Sequence, residues 1–135
     1  MTTAWADTNV LLRHLSGEPV PLAARAKKVI DAARAGRLRL RVATEIVCEL
    51  VYVLGSKTFG YSHAEIAATL TALLTQPGIE AEETDLCLYA LRRMADLNVP
   101  FVDALLAGRA ERVDEPIATL DARDFPRLGA KLHAI

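Results

Sequence analysis

The feature that most constrains the fold is the alternation of short apolar runs with longer amphipathic segments. Strand-like runs occur at residues 3–6, 38–42 and 117–120, and another begins at Ile79. Residues 38–42 alternate apolar and basic side chains, a period typical of a strand. Short strands that alternate with helices are characteristic of an α/β fold. The sequence therefore predicts a short, mostly parallel central sheet flanked by helices, with Trp5 of the first strand in the core.

Capping and stop residues bound the predicted helices. Gly17 is expected to end a short first helix, and Gly36 to end the next. Ser62 and Glu65 have the spacing of a capping box, which marks a helix start. The remaining segments are predicted as helices over about 21–35, 44–57, 62–74, 84–97 and from Pro100 to before Pro116, with a further strand over 131–135.

Composition limits the class of protein. A length of 135 residues suits a single domain spanning 1–135. Sixteen basic and seventeen acidic residues exclude a nucleic-acid coat protein held by bulk charge. Two cysteines, both in apolar helical patterns, disfavour a disulfide scaffold or a structural zinc site. No apolar run is long enough for a membrane span, and the N-terminus lacks the basic head of a signal peptide, so we expect a cytoplasmic protein without membrane contact.

Three aspartates follow predicted strands. Asp7 comes directly after the first strand, and Asp121 and Asp124 come after the run at 117–120. Because ligand sites in open parallel sheets lie outside the carboxyl ends of the strands, these acids are expected at one edge of the sheet. Taken singly, each is more simply explained as a loop or capping acid.

Glu49 is a stronger candidate than its neighbour Glu45. The apolar residues of the helix around them cover an arc of about 160° at roughly 100° per residue. Glu49 falls only about 40° outside that arc, whereas Glu45 falls about 80° outside it. A carboxylate at the rim of a buried face usually has a partner, because an unpaired one is costly. Glu45 is interpreted as a surface acid in a first helical turn.

Asp103 completes the candidate set. It lies near the start of the helix that begins at Pro100, where the helix dipole alone would account for an aspartate. Its position between Val102 and Leu105 also places it close to the apolar flank.

The candidate acids imply a particular chemistry if they converge. Clustered carboxylates raise one another's pKa unless a cation lies among them. Oxygen ligands without histidine or thiol suit Mg²⁺ or Mn²⁺ rather than zinc. Such a pocket suits hydrolysis of phosphodiester bonds.

Four segments then resemble motifs of the PIN-domain family, and especially of its VapC-type toxins from toxin–antitoxin pairs. DTNVLLR at 7–13 resembles the opening motif, and ELVYVL at 49–54 resembles the helix that carries a glutamate. FVDALLA at 101–107 resembles the motif of the third acid, and TLDARDF at 119–125 resembles the closing segment. The motifs occur in the family's order and bracket most of the chain.

The resemblance implies a three-layer PIN-like fold and an endoribonuclease dependent on Mg²⁺ or Mn²⁺, inhibited by a cognate antitoxin. It implies that Asp7, Glu49 and Asp103 are catalytic metal ligands, joined by Asp121, Asp124 or both. Three further positions, Thr8, Asn9 and Thr119, match residues that brace these acids in the family.

Charge and apolar surface point to partners. Residues 25–41 contain seven basic side chains and one acid. They are interpreted as an RNA contact, as a face that meets an acidic antitoxin segment, or simply as a solvated surface. The candidate RNA contacts are Arg25, Lys27, Lys28 and Arg37. Alanine- and leucine-rich helices leave apolar surface for a homodimer.

Two other classes of function compete with the nuclease. The first is a Mg²⁺-dependent phosphatase or phosphotransfer domain with an aspartyl nucleophile. Asn9 disfavours it, because a dehalogenase-type phosphatase has an aspartate two residues after its nucleophile. The second is a catalytically idle PIN-fold interaction module, which is disfavoured because the acidic motif positions are all retained.

Overall fold

A three-stranded parallel sheet forms the centre of the computed structural model, which describes all 135 residues. The strands are β1 (Thr2–Trp5), β2 (Leu38–Val42) and β3 (Ile79–Ala81), in the order β1-β2-β3. Ala4 lies opposite Leu40, and Leu40 lies opposite Ile79. Parallel neighbours place the carboxyl ends of all three strands at one edge of the sheet. The predicted α/β class is confirmed.

Seven helices flank the sheet. They are α1 (Thr8–Ser16), α2 (Val20–Arg34), α3 (Thr44–Leu54), α4 (His63–Leu74), α5 (Thr84–Leu97), α6 (Phe101–Arg112) and α7 (Asp124–Arg127). Gly17 ends α1 in the left-handed conformation, and Ser62 and Glu65 form the predicted capping box of α4. The α3 helix ends at Leu54, before the expected Lys57, and Gly55 follows it. Beyond this end, the Ser56 hydroxyl donates to the carbonyl of Val53 at 2.6 Å.

One hydrophobic core of 29 buried residues joins the sheet to the helices. Leu40 and Val42 of β2 lie in this core, as do Val47 and Leu50 of α3. Helices predicted from the sequence thus cover the central strand. None of the helices combines the length and apolar character needed to cross a membrane.

The expectation that Trp5 lies in the core is wrong. Its side chain belongs to β1, an edge strand, and is 57% exposed. The Arg41 guanidinium of the neighbouring β2 lies 5.7 Å from the centre of its ring. A cation over an indole face is an attractive arrangement, so the ring is partly covered by charge rather than by apolar neighbours.

The two strands predicted near the end of the chain are reduced to one parallel bridge. Ile117 pairs with Leu132, and the amide N–H of Ile117 donates to the carbonyl of Lys131 at 2.8 Å. Beyond this bridge, the Asp121 amide N–H donates to the Thr119 hydroxyl at 3.0 Å. That side-chain bond turns the backbone and competes with a strand ladder. The strand over 117–120 is therefore a wrong prediction.

The α7 helix was not predicted from the sequence. It has only four residues, and Pro126 stands inside it. Buried Phe125 and Leu128 anchor this segment to the core. Tertiary packing rather than local propensity therefore accounts for α7.

Gly78 provides a test of the packing between α2 and the sheet. Its φ is +81°, and a Cβ there would lie 2.1 Å from the carbonyl oxygen of Ala33. We expect Gly78→Ala to lower the free energy of unfolding by about 3 kcal/mol or more, because it adds backbone strain to a backbone clash. Urea-induced unfolding monitored by circular dichroism measures this change.

Gly60→Ala is the matched control. Gly60 also has a positive φ, +68°, but a Cβ there would meet no atom within 4 Å. Only the left-handed backbone cost of about 1 kcal/mol should remain. Equal losses of stability in the two variants would contradict the close approach of α2 to Gly78.

Candidate metal centre

Three aspartates lie together beside the first turn of α6. One carboxylate oxygen from each of Asp103, Asp121 and Asp124 lies within 4.8 Å of the others. Pro100 precedes α6 and places Asp103 in its first turn. Asp124 begins α7, which packs against α6. Residues separated by about twenty positions in the chain thereby form one acidic cluster.

Burial differs strongly among the three carboxylates. Asp124 is buried, Asp103 is half-buried and Asp121 is exposed. Burial raises the pKa of Asp103 above its ordinary value, and the negative charges of Asp124 and Asp121 raise it further. The ionised form of Asp103 is thus disfavoured in the cluster, and a bound cation would favour it.

Two arginines compensate the buried charge of Asp124. Its Oδ1 accepts from Arg123 Nε at 3.3 Å and from Arg127 Nη1 at 3.4 Å. Arg127 also donates to the carbonyl of Leu97 at the end of α5. A buried carboxylate needs such partners, and the second one links α7 to α5.

Backbone hydrogen bonds orient Asp121. Its Oδ1 accepts from the Arg123 amide N–H at 2.9 Å, while its own amide N–H donates to the Thr119 hydroxyl. Thr119, a predicted bracing residue, therefore contacts the backbone of Asp121 rather than a carboxylate. The pair forms a tight turn that presents the Asp121 side chain to solvent.

The other candidate acids form a second set at the carboxyl end of β1. Asp7 is exposed and directly precedes α1, and the buried Thr8 donates from Oγ1 to Glu49 Oε2 at 2.8 Å. Glu45 has no such partner. Neither Asp7 nor Glu49 belongs to the cluster of three aspartates. Asn9 is exposed and lines a cleft between α1 and α2.

The candidate RNA-contact residues are all exposed. Arg25 lines the same cleft as Asn9. Lys27 is paired with Asp31 at 2.7 Å, one turn along α2. Lys28 and Arg37 have no acidic partner within ion-pairing distance.

The donor set fits a hard divalent cation. All three side chains of the cluster offer carboxylate oxygens, the ligands preferred by Mg²⁺ and Mn²⁺. Burial raises the pKa of the Cys87 thiol to about 11, so Cys87 is protonated at neutral pH and is a poor metal ligand or nucleophile. Asp103, Asp121 and Asp124 are therefore the residues that could hold the ion.

The two arginines that pair with Asp124 were missed by the sequence argument. Asp124 and Arg127 have the (i, i+3) spacing of a helical ion pair, which is the one available signal. This spacing was not recognised as helical because α7, with four residues, is too short to show a helical period.

Together, the parallel sheet and the acidic cluster define an α/β protein with a candidate divalent-metal centre. The PIN domain family model matches residues 5–131, so the chain belongs to the PIN domain family. The predicted family is thus confirmed. No curated protein matches the chain.

A solved structure also resembles the chain. It is the VapBC2 complex of Rickettsia felis bound to a DNA fragment from its promoter. The sequence identity is 16% and the TM-score 0.38, over 98% of this chain and 96% of the other.

The electrostatics of the cluster predict an effect of Asp103→Asn. Because the folded-state pKa of Asp103 is raised, its ionisation destabilises the fold at neutral pH, and this penalty disappears as the pH falls and the carboxyl protonates. The metal-free variant should therefore unfold at a higher temperature than the parent at pH 7. The difference should vanish in acid, as measured by thermal unfolding in EDTA.

Asp85→Asn is the control. Asp85 also occupies a first helical turn, in α5, but is exposed and outside the cluster. Its removal should slightly lower the unfolding temperature through loss of the dipole interaction. Destabilisation of both variants to the same extent would show that the cluster is not under repulsion.

Proposed function

We propose that this chain is a Mg²⁺- or Mn²⁺-dependent endoribonuclease of the VapC type, with residues 1–135 acting as one PIN-like domain. The observation that carries the proposal is the cluster of Asp103, Asp121 and Asp124 in a member of the PIN domain family. Phosphodiester hydrolysis needs stabilisation of anionic oxygens, and an all-carboxylate site supplies it by holding a divalent cation.

Each acid has a distinct task in this proposal. A bound divalent cation lowers the pKa of water and neutralises charge on the phosphate. Asp121 offers an exposed carboxylate to the ion, and Asp124 offers one that its arginine partners keep in place. Asp103 would bind the ion in its ionised form, which burial and the charges of Asp124 and Asp121 disfavour, so metal affinity should weaken as the pH falls.

We assign the second set of acids to the same centre. Asp7 and Glu49 would complete the ligand shell on the side of β1, with Thr8 bracing Glu49 through its hydroxyl. Asn9 and Thr119 would brace the neighbouring backbone. Support for this comes from the family motifs and from the position of Asp7 at the carboxyl end of β1.

Exposed cations supply the RNA-binding surface in this proposal. Arg25, Lys28 and Arg37 extend over α2 and the following turn and are free to contact phosphate. Lys27, which is paired with Asp31, would contribute less.

We further propose that a small antitoxin inhibits the chain and that two copies form a cytoplasmic homodimer. Inhibition needs a group that competes with the metal. An arginine of the antitoxin can donate paired, charge-assisted hydrogen bonds to the clustered carboxylates. Apolar helix surface is available for both contacts, since Val102 and Leu106 of α6 are exposed.

The purified chain should cleave single-stranded RNA with Mg²⁺ or Mn²⁺ and lose all cleavage in EDTA. Asp103→Asn should reduce the rate at least about 100-fold, because it removes a ligand charge from the ion. A fluorophore-labelled RNA resolved on a denaturing gel measures the rate. Full cleavage in EDTA would refute the metal mechanism.

Glu49 and Glu45 provide a matched pair on α3. Glu49→Gln should abolish most cleavage, whereas Glu45→Gln should keep most of it, because Glu45 lies farther round the helix. The opposite result would refute the assignment of Glu49. Release of inorganic phosphate from a phosphomonoester, without RNA cleavage, would favour the phosphatase alternative.

Expression of the chain alone should arrest bacterial growth, and co-expression of the small protein encoded beside it should restore growth. Asp103→Asn is the control and should be harmless at equal abundance. Growth curves and immunoblots measure both outcomes. A harmless parent chain that nevertheless binds Mn²⁺ would favour the idle-module alternative.

A further inference from the structure

A hydrogen-bonded network joins α3, α6 and the end of β3. The Thr44 hydroxyl donates to Glu83 Oε1 at 2.9 Å, and the Thr44 amide N–H donates to Glu82 Oε1 at 3.2 Å. Arg109 donates to both carboxylate oxygens of Glu83, with its Nε 3.3 Å from Oε2 and its Nη2 on Oε1. Glu83 is therefore shared between the start of α3 and the last turn of α6.

The two helices in this network carry acids from the two separate sets. The α3 helix begins at Thr44 and carries Glu49, whereas α6 carries Asp103. Arg109 lies six residues after Asp103, roughly 9 Å along the helix axis at 1.5 Å per residue. The network thus fixes α3 and α6 to a common point at the carboxyl edge of the sheet.

The residue before Arg109, Gly108, packs closely against α5 and so fixes where α6 lies. Gly108 faces α5, where a Cβ would lie 2.6 Å from Leu86 Cδ1. The absence of a side chain at 108 lets α6 approach α5, and the next residue then reaches Glu83. The guanidinium lowers the pKa of Glu83, so the pair is charged at neutral pH.

We infer that Arg109 is a positioning residue for the metal centre. Through Glu83 and Thr44 it sets the rotation and axial placement of α6 relative to α3, and hence the placement of Asp103 relative to Glu49. This inference rests on the proposed function in taking Asp103 and Glu49 as ligands of one metal centre.

Geometry, rather than the strength of the ion pair, is what Arg109 contributes. The side chains of Arg109 and Glu83 are 46% and 33% exposed, and exposed ion pairs add little to stability. A planar guanidinium that contacts both oxygens of one carboxylate nevertheless fixes the orientation of the two side chains relative to each other. Removal of Arg109 should therefore affect the metal centre more than the overall stability.

The test is the affinity of the full-length protein for Mn²⁺, measured by electron paramagnetic resonance of the free ion. Arg109→Gln should weaken Mn²⁺ binding about 3- to 10-fold, less than loss of a group bonded directly to a ligand. Arg112→Gln is the matched control. Arg112 ends α6 and acts on Glu83 through its charge but donates no hydrogen bond to it, so its loss should change the affinity less than about twofold.

Two further variants separate geometry from charge. Arg109→Lys keeps the positive charge but loses the bidentate contact with Glu83, so it should bind Mn²⁺ more weakly than the parent protein, as Arg109→Gln does. Glu83→Gln should weaken it to a similar extent, and the double variant should be no worse than either single one, because the residues act as a unit. Glu83→Gln also tests the inference if Arg109→Gln does not fold.

The inference is overturned if Arg109→Gln and Arg112→Gln bind Mn²⁺ equally, or if Arg109→Lys restores full affinity. It is also overturned if the parent protein binds no Mn²⁺. Its failure is distinguishable from failure of the proposed function. A parent chain that binds Mn²⁺ but cleaves no RNA refutes the nuclease, whereas the effect of Arg109 on Mn²⁺ affinity still stands.

Discussion

The parallel pairing of β2 with both of its neighbours is the constraint on which the other elements depend. Because β1, β2 and β3 run in the same direction, β1 and β2 must each be followed by a crossover to the next strand, and these crossovers contain α1 with α2 and α3 with α4. The same pairing collects the carboxyl ends of the strands at one edge. Asp7, Thr44 and Glu83 follow those three ends. The network around Glu83 and the acids near Asp7 therefore depend on strand direction. No local sequence signal brings these residues together.

Charge balance is arranged differently at the two acidic sets. Asp124 is buried and has two arginine partners, whereas Glu49 receives one neutral hydroxyl hydrogen bond from Thr8. Burial raises the pKa of Asp103, and neighbours of its own sign raise it further. The cluster is thus stabilised at its buried end and left under repulsion toward solvent. A cation at the exposed end, where Asp121 lies, would relieve that repulsion.

Local signals predicted the fold class and most helix limits, because capping and stop residues act within a few positions. The capping box at Ser62 and the left-handed Gly17 are examples. Two features depended on tertiary contacts and were not predictable in this way: α7 forms because Phe125 is buried, and Trp5 is exposed because β1 is an edge strand. Residues 117–120 have strand-like composition, but a local hydrogen bond from the Asp121 amide N–H to the Thr119 hydroxyl turns the chain there. For the site, the family motifs supplied the candidate acids, which remain a prediction, and their division into two sets followed only from the packing of α6 against α7.

The hydrogen bonds around the acids join residues that are distant along the chain. Thr8 and Glu49 are 41 positions apart, Thr44 and Glu83 are 39 apart, and Arg109 and Glu83 are 26 apart. Closing loops of this length costs conformational entropy, which packing of the intervening segments must offset. During synthesis, Asp124 leaves the ribosome after every other acid of the two sets. A growing chain therefore contains no complete cluster of Asp103, Asp121 and Asp124 until nearly all of its core residues have been synthesised.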